Sequence, residues 1–320
     1  MVYIPFFSNT SVPFEASKDI PSLAGKVILV TGGNAGLGKQ SVLELARYGK
    51  PSKIYLAARS QEKAKAAIEE VQRHAPDAPI VPLDLDLTSF ASIKDAARTF
   101  LAQEERLDIL ILNAGIMACP SGTTKDGYEM QFGTNHVGHA LLTKLLLPTL
   151  LATARRPEKP DVRVVVLTSE GLGLASAVVG IKFDVVKTDG SAIHTWKRYG
   201  QSKLANALFA RELARRHPEI TAVAIHPGVV GTQLLYPYSD SLGLPRWLAY
   251  GLVSPFVKTV EAGAKNQLWG AVGEVENGEW YTPVGIKGTT KVRGTDLARD
   301  DDLASKLWEW TEKELEGQEI

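Results

Sequence analysis

Gly25-Lys-Val-Ile-Leu-Val-Thr31-Gly32-Gly33-Asn34-Ala35-Gly36-Leu37-Gly38-Lys39 sets an apolar, β-branched run against a cluster of glycines, and a helical pattern continues through Tyr48. This order predicts strand, turn and helix. Glycines at the carboxyl end of a strand let the backbone approach a pyrophosphate, while the following helix turns its unpaired amides and positive dipole end toward that anion. Because a strand precedes and a helix follows, dinucleotide binding stands ahead of a plain glycine-rich turn.

Outward from this unit, strand-like runs near 26–31, 53–58, 79–85, 107–112, 162–168, 220–225 and 279–282 alternate with helical patterns. The helices fall near 36–48, 61–74, 89–103, 127–153, 194–217, 258–272 and 301–315. Such alternation predicts a doubly wound α/β domain with a central parallel sheet and helices on both faces. Ligands of such sheets sit beyond the carboxyl ends of the strands, where Gly32, Arg59, Asn113, Ser169 and Pro227 all fall on this reading. The domain is expected over 25–320, with residues 1–24 as an N-terminal extension packed on it. No linker and no internal repeat interrupt it, and the polar stretch 154–161 reads as a surface loop.

Of the 320 residues, 44% are hydrophobic, enough for a large core. Lys plus Arg equals Asp plus Glu at 36 each, which leaves no net field for nucleic acid and points to a small-molecule partner. A single cysteine, Cys119, excludes an intramolecular disulfide framework, and no Cys/His cluster has zinc-site spacing, so no metal is expected. A reducing, cytoplasmic setting fits, and the start of the chain lacks the pattern of a secretory signal. The longest apolar stretch, 140–151, carries Lys144 and Pro148 and falls short of the roughly 18 uncharged residues of a membrane span. It reads as a buried helix. Residues 242–256, with Trp247, Tyr250 and Phe256, have few basic residues to hold them in a membrane interface.

The chemistry is carried by Arg198-Tyr-Gly-Gln-Ser-Lys-Leu204, in which Tyr199 and Lys203 are four positions apart on an expected helix and so face the same way. An ammonium beside a phenol favours the phenolate and is expected to lower the tyrosine pKa from its ordinary value near ~10. That would make a proton-transfer device, although a lone pair at this spacing is more often a solvated helix face.

Thr31-Gly32, three residues, Gly36, one residue and Gly38 resemble the TGxxxGxG signature of the short-chain dehydrogenase/reductase family. Leu112-Asn113-Ala114-Gly115 resembles that family's NAG motif, Asn135-His-Val-Gly138 its catalytic-asparagine segment, and Val164-Val-Val-Leu-Thr-Ser169 the strand that ends in its catalytic serine. Tyr199-x-x-Ser-Lys203 and His226-Pro227-Gly228-Val-Val230-Gly-Thr232 complete the series, the latter like the PGxxxT loop at the nicotinamide end of the cofactor. The resemblance covers about Lys26 to Tyr281, and Asn113–Pro120 is most similar to the retinol-dehydrogenase and WW-domain-oxidoreductase branch and related fungal reductases.

The resemblance implies an NADP(H)-dependent carbonyl/alcohol oxidoreductase, in a biosynthetic or secondary-metabolite pathway where the fungal reductases are the guide. It implies Ser169, Tyr199, Lys203 and Asn135 as catalytic residues, with Asn135 holding a water that connects the lysine to solvent at a helix break. Gly133 and Gly138 favour such a break. For the cofactor it implies Gly32, Asn34, Gly36, Leu37, Gly38, Lys39, Asn113, Ala114, Gly115, Tyr199, Lys203, Pro227, Gly228, Val230 and Thr232, and Asp86-Leu87 around the adenine, with Asp84 as a competitor for that register. Position 58 is Ala where NAD-preferring relatives usually place an acid, and Arg59 follows; a guanidinium suits the 2′-phosphate of NADP, against the alternative of a surface arginine at a strand end. His136 and His139 read as packing or surface histidines.

Ser169 and Tyr199 lie 199 − 169 = 30 positions apart where many family members have about a dozen, so 170–198 reads as an insertion. Residues 228–257, rich in large apolar and aromatic side chains, would form a substrate lid favouring a lipophilic or aromatic compound, or pack on the core or on another subunit. Helices 127–153 and 194–217 pair subunits in many relatives, which implies a homodimer. Two rivals remain: a catalytically inactive NADP(H)-binding sensor or scaffold, and a sugar-nucleotide epimerase, whose glycine spacing Ala35 does not match.

Overall fold

In the structure, a computed structural model, residues 11–175, 180–231, 257–289, 291–292 and 295–320 are described. β1 (Val27–Thr31) is buried along its length between β2 (Lys53–Ala58) and β4 (Ile109–Leu112), parallel to both. β3 (Ile80–Asp84) follows beyond β2, and β5 (Arg163–Leu167), β6 (Thr221–Ile225) and β7 (Trp280–Thr282) extend the sheet from β4. The strand order is 3-2-1-4-5-6-7-8, the doubly wound arrangement expected from the alternation of patterns. Within this sheet, among the described residues, only β8 (Ile286–Lys287) runs antiparallel, turning back on β7 through a tight connection at Gly285. Two residues are too short a run to carry a periodic signal, and for that reason it escaped the sequence reading.

Both faces of the sheet are covered, which is why its strands read as continuous apolar runs. Side chains still alternate between two cores: Val27, Leu29, Leu110, Leu112, Val164 and Val166 enter one, while Ile28, Val30, Ile109, Ile111, Val165 and Leu167 enter the other. The first core is closed by α4 (Phe90–Leu101), α6 (Gly138–Ala154) and α7 (Thr195–Arg216), the second by α2 (Gly36–Glu44), α3 (Gln61–Gln72) and α8 (Val260–Val272). Fully burying each such aliphatic side chain is worth about 1.5–3 kcal/mol. The extension before β1 lies on the second core through Phe14, Ile20 and Leu23.

Before α6 the chain forms a short α5 (Met130–Phe132) and a single π turn (Gly133–Val137), so that Met130–Ala154 is one continuous apolar helix. At 25 residues it is long and apolar enough to cross a membrane, contrary to the shorter stretch judged from sequence, but 61% of its most apolar window is buried within this fold. It is a core helix. The C-terminal α9 (Asp301–Glu314) lies across α6 and α7, stacking Trp308 on Phe209 and pairing Glu312 with Lys144 and Asp301 with Arg211. The two helices expected to pair subunits are thus partly covered by the chain itself.

Candidate active site

Beyond the carboxyl end of β1 the chain turns at Gly32, whose φ of +66° is the left-handed conformation that glycine adopts at no steric cost. Gly38, in the first turn of α2, faces this turn so closely that a Cβ there would run into the Gly32 carbonyl and come to 2.5 Å from Asn113 Nδ2. Asn113 closes the cradle from β4: its Nδ2 donates to the carbonyls of Thr31 at 2.8 Å and Gly32 at 3.4 Å. The Ala114 amide donates to Thr31 Oγ1 at 3.0 Å. Asn113 Oδ1 is buried without a partner among the described residues. A narrow glycine cradle with helix amides and an unsatisfied acceptor at its edge fits a dinucleotide pyrophosphate and its sugar.

The second half of the site stands on α7. Tyr199 and Ser169, just past the end of β5, converge on Gly171 despite the 30 positions between them: a Cβ there would come to 3.2 Å from Ser169 Oγ as well as close to the tyrosine ring. After Ser169 the chain enters a 3₁₀ turn (Glu170–Leu174) that packs under Tyr199, where a Cβ at Gly171 would come to 2.9 Å from the tyrosine ring. The insertion therefore folds back onto α7. Lys203 Nζ donates to the Leu167 carbonyl at 3.1 Å and lies 5.9 Å from the centroid of the Tyr199 ring. Gly115 leaves space for both Lys203 and Asn135, since its Cβ would come to 3.4 Å from Lys203 Nζ and 3.2 Å from Asn135 Oδ1.

Electrostatics differ from the expectation that the ammonium lowers the tyrosine pKa. Burial pushes the Tyr199 hydroxyl up to about 12, only partly opposed by the neighbouring Ser169 side chain. Burial likewise lowers Lys203 to about 8. Tyr199 and Lys203 are only 6% and 5% exposed, and desolvation sets the direction of both shifts.

Asn135 lies in the π turn, as an irregular helix required, and is fully buried. Its Oδ1 accepts from the Ile116 amide at 2.8 Å, while its Nδ2 donates to the Ile116 carbonyl and to Ser202 Oγ, both at 2.9 Å. The side chain is committed to holding the post-β4 loop against α7.

Arg59 is exposed just past the end of β2, and no hydrogen bond or ion pair with another described residue engages its side chain. Lys39, in contrast, holds Glu70 on α3 at 2.7 Å, which directs its ammonium to that pair. Asp86 is kept below the ordinary carboxylate range: burial raises it, but hydrogen bonds from the Thr88 hydroxyl and amide and from Lys125 prevail. Leu87 is buried against Gly138, and Asp84 is exposed at the strand end. Pro227 and Gly228 follow β6, and Val230 packs on Gly263 and Leu37. Thr232 and most of the expected lid, 232–256, lie outside the described residues, as does the interfacial candidate 242–256.

Three features were not legible as parts of the site. His139 is buried between Thr31 and Asn135. Arg198, adjacent to Tyr199, forms a buried ion pair with Glu129 at 2.9 Å and donates to the carbonyls of Cys119 and Pro120. His226, before Pro227, is buried with an unpartnered Nδ1, and its Nε2 stands 3.7 Å from Glu170. Nothing in the sequence signals these partners, which lie far along the chain. A cavity of about 540 Å³ between α6, α7 and α9 includes none of the site residues.

Known proteins resemble this chain in sequence and fold. A profile of the short chain dehydrogenase family matches residues 26–179. A short-chain dehydrogenase/reductase of Aspergillus calidoustus, drtF, is 36% identical, over 94% of this chain and 97% of its own. Human retinol dehydrogenase 13 is 38% identical over 90% and 83%, respectively. Among solved structures, a protein of Mycobacterium paratuberculosis is 30% identical with a TM-score of 0.70, covering 94% of this chain and 97% of its own. The fold is also that of the Pseudomonas aeruginosa RhlG/NADP complex, with a TM-score of 0.61 at 23% identity over 82% and 96%. With relatives of this similarity along nearly its whole length, the chain belongs to the short-chain dehydrogenase/reductase family of oxidoreductases.

Proposed function

We propose that the protein interconverts a carbonyl and an alcohol on a lipophilic or aromatic small molecule with NADP(H), through Ser169, Tyr199 and Lys203. The observation that carries this reading is the convergence of the Ser169 and Tyr199 side chains on Gly171, with Lys203 one turn further along the helix that carries Tyr199. The bound cofactor would supply or accept the hydride. In reduction, the Ser169 and Tyr199 hydroxyls donate to the substrate oxygen, where negative charge develops. Tyr199, held protonated by burial, then gives its proton to the nascent alkoxide, and the Lys203 ammonium stabilises the tyrosinate left behind. The preference for NADP(H) is supported by the exposed Arg59 guanidinium and by Ala58, which offers no carboxylate to repel a 2′-phosphate. The substrate class is supported by the apolar and aromatic composition of 233–250.

Tyr199→Phe keeps the ring and removes the proton. Its kcat on a carbonyl panel, followed by NADPH absorbance, should fall by about 10²–10⁴-fold while cofactor affinity is kept. Near-normal turnover in this variant would refute the assignment.

A further inference from the structure

Thr31 closes β1 at the glycine turn, and Tyr199 stands on α7, 168 positions later by 199 − 31. Four hydrogen bonds join them. Thr31 Oγ1 lies 2.9 Å from His139 Nε2, His139 Nδ1 lies 3.0 Å from the Asn135 carbonyl, Asn135 Nδ2 donates to Ser202 Oγ at 2.9 Å, and Ser202 Oγ donates to the Tyr199 carbonyl at 2.8 Å. We propose that His139 is a positioning residue, the central link of this chain, which fixes the glycine turn relative to the helix that carries the reactive tyrosine.

The direction of each bond follows from what its atoms allow. A carbonyl oxygen only accepts, so Nδ1 of His139 carries the proton. In a neutral ring Nε2 is then the acceptor, and Thr31 must donate to it. Thr31 Oγ1 meanwhile accepts from the Ala114 amide at 3.0 Å, so both its donor and one acceptor direction are assigned. The ring is 2% exposed, and burial keeps it neutral by lowering its pKa to about 4. Without the imidazole, the Thr31 hydroxyl would have only the Ile111 carbonyl, at 3.5 Å, to donate to. The turn and the π turn would lose their common brace. The existence of this brace is independent of chemistry; its consequence for turnover rests on the functional reading above.

Nitrogen-15 NMR of the full-length protein with labelled histidine reads the tautomer directly, without cofactor. His139 should be neutral and protonated on Nδ1 at pH 7; an Nε2–H ring or an imidazolium would overturn the proposal. His139→Leu should weaken NADPH binding and lower kcat, each by about tenfold, the cost of one lost buried hydrogen bond. His139→Gln, whose amide donates at one end and accepts at the other, should recover most of both. In a double-mutant cycle, Thr31→Val and His139→Leu should cost less together than the sum of the two. Full additivity, or wild-type affinity and kcat in His139→Leu with only a lower Tm, would show a merely structural histidine. If His139→Leu does not fold, the tautomer and the Gln variant decide. Should Tyr199→Phe retain turnover, the functional reading fails while the tautomer and the NADPH cycle still judge the brace.

Discussion

The two halves of the site are built by different means. Around the glycine turn, position is set by shape: Gly38, Gly32 and Ala114 approach so closely that a single added carbon has nowhere to go. Around Tyr199, position is set by buried polar groups, with Asn135, Ser202, Lys203 and His139 each at most 5% exposed and each held by hydrogen bonds to distant segments. Shape tolerates no extra volume but is indifferent to pH. A buried polar network tolerates small changes in volume better, yet depends on which atoms carry protons.

The largest effect should come from breaking the shape half. In Gly38→Ala the new methyl meets the Gly32 carbonyl and Asn113 Nδ2, backbone and pinned amide rather than the free end of a flexible chain. Overpacking of this kind costs about 1–3 kcal/mol, and the turn must open to relieve it. Calorimetric or fluorescence titration should find NADPH binding weaker by about 10²-fold or more, the upper end of that range. Ordinary affinity in this variant would show that the cradle is looser than its contacts imply.

The same contrast explains what the sequence revealed. Glycines at fixed spacing after an apolar run announce a backbone approach directly, because no other residue type does that job; the cradle and all seven parallel strands were readable for this reason. Tyr199 and Lys203 were readable because their relation is local, one helical turn. His139 and Arg198 were not, since Thr31 and Glu129 lie 108 and 69 positions away, and a histidine or arginine on a helix gives no hint of which distant segment it will meet. The tyrosine pKa was misjudged for a related reason. The ammonium was visible in the sequence, but the desolvation that sets the direction of the shift comes from the whole fold.

At the rim of the shape half, Arg59 sharpens the comparison, because it is a charge that neither fills space nor joins a network. On the NADP(H) reading, Arg59→Asp should leave Tm and NADH affinity near wild type and raise the Kd for NADPH by at least about tenfold, or 1.4 kcal/mol, since a carboxylate there would repel the 2′-phosphate that a guanidinium can hold. An unchanged NADPH Kd would remove Arg59 from the cofactor site.

The smallest effect, under about 1 kcal/mol per group between pH 7 and 6, tests the polar half alone. Burial lowers His136 and His226 to about 3 and His139 to about 4, against an ordinary value near ~6.5 in an unfolded chain. Each is a base depressed on folding, so between those values the unfolded chain binds more protons than the native one. The stabilisation is complete above about pH 6.5 and declines as pH falls, to about 4 for His139 and about 3 for His136 and His226. Urea unfolding at steps from pH 7 to 5 should therefore show a falling midpoint at constant m-value. At the alkaline side Lys203, lowered to about 8, keeps the histidines' sign and makes stability rise with pH up to its ordinary value near ~10.4, whereas Tyr199, raised to about 12, reverses it and makes stability fall above ~10. A midpoint independent of pH between 7 and 5 would mean that these histidines take up protons in the folded state, and the polar half would then lack the dry, neutral interior on which its hydrogen bonds depend.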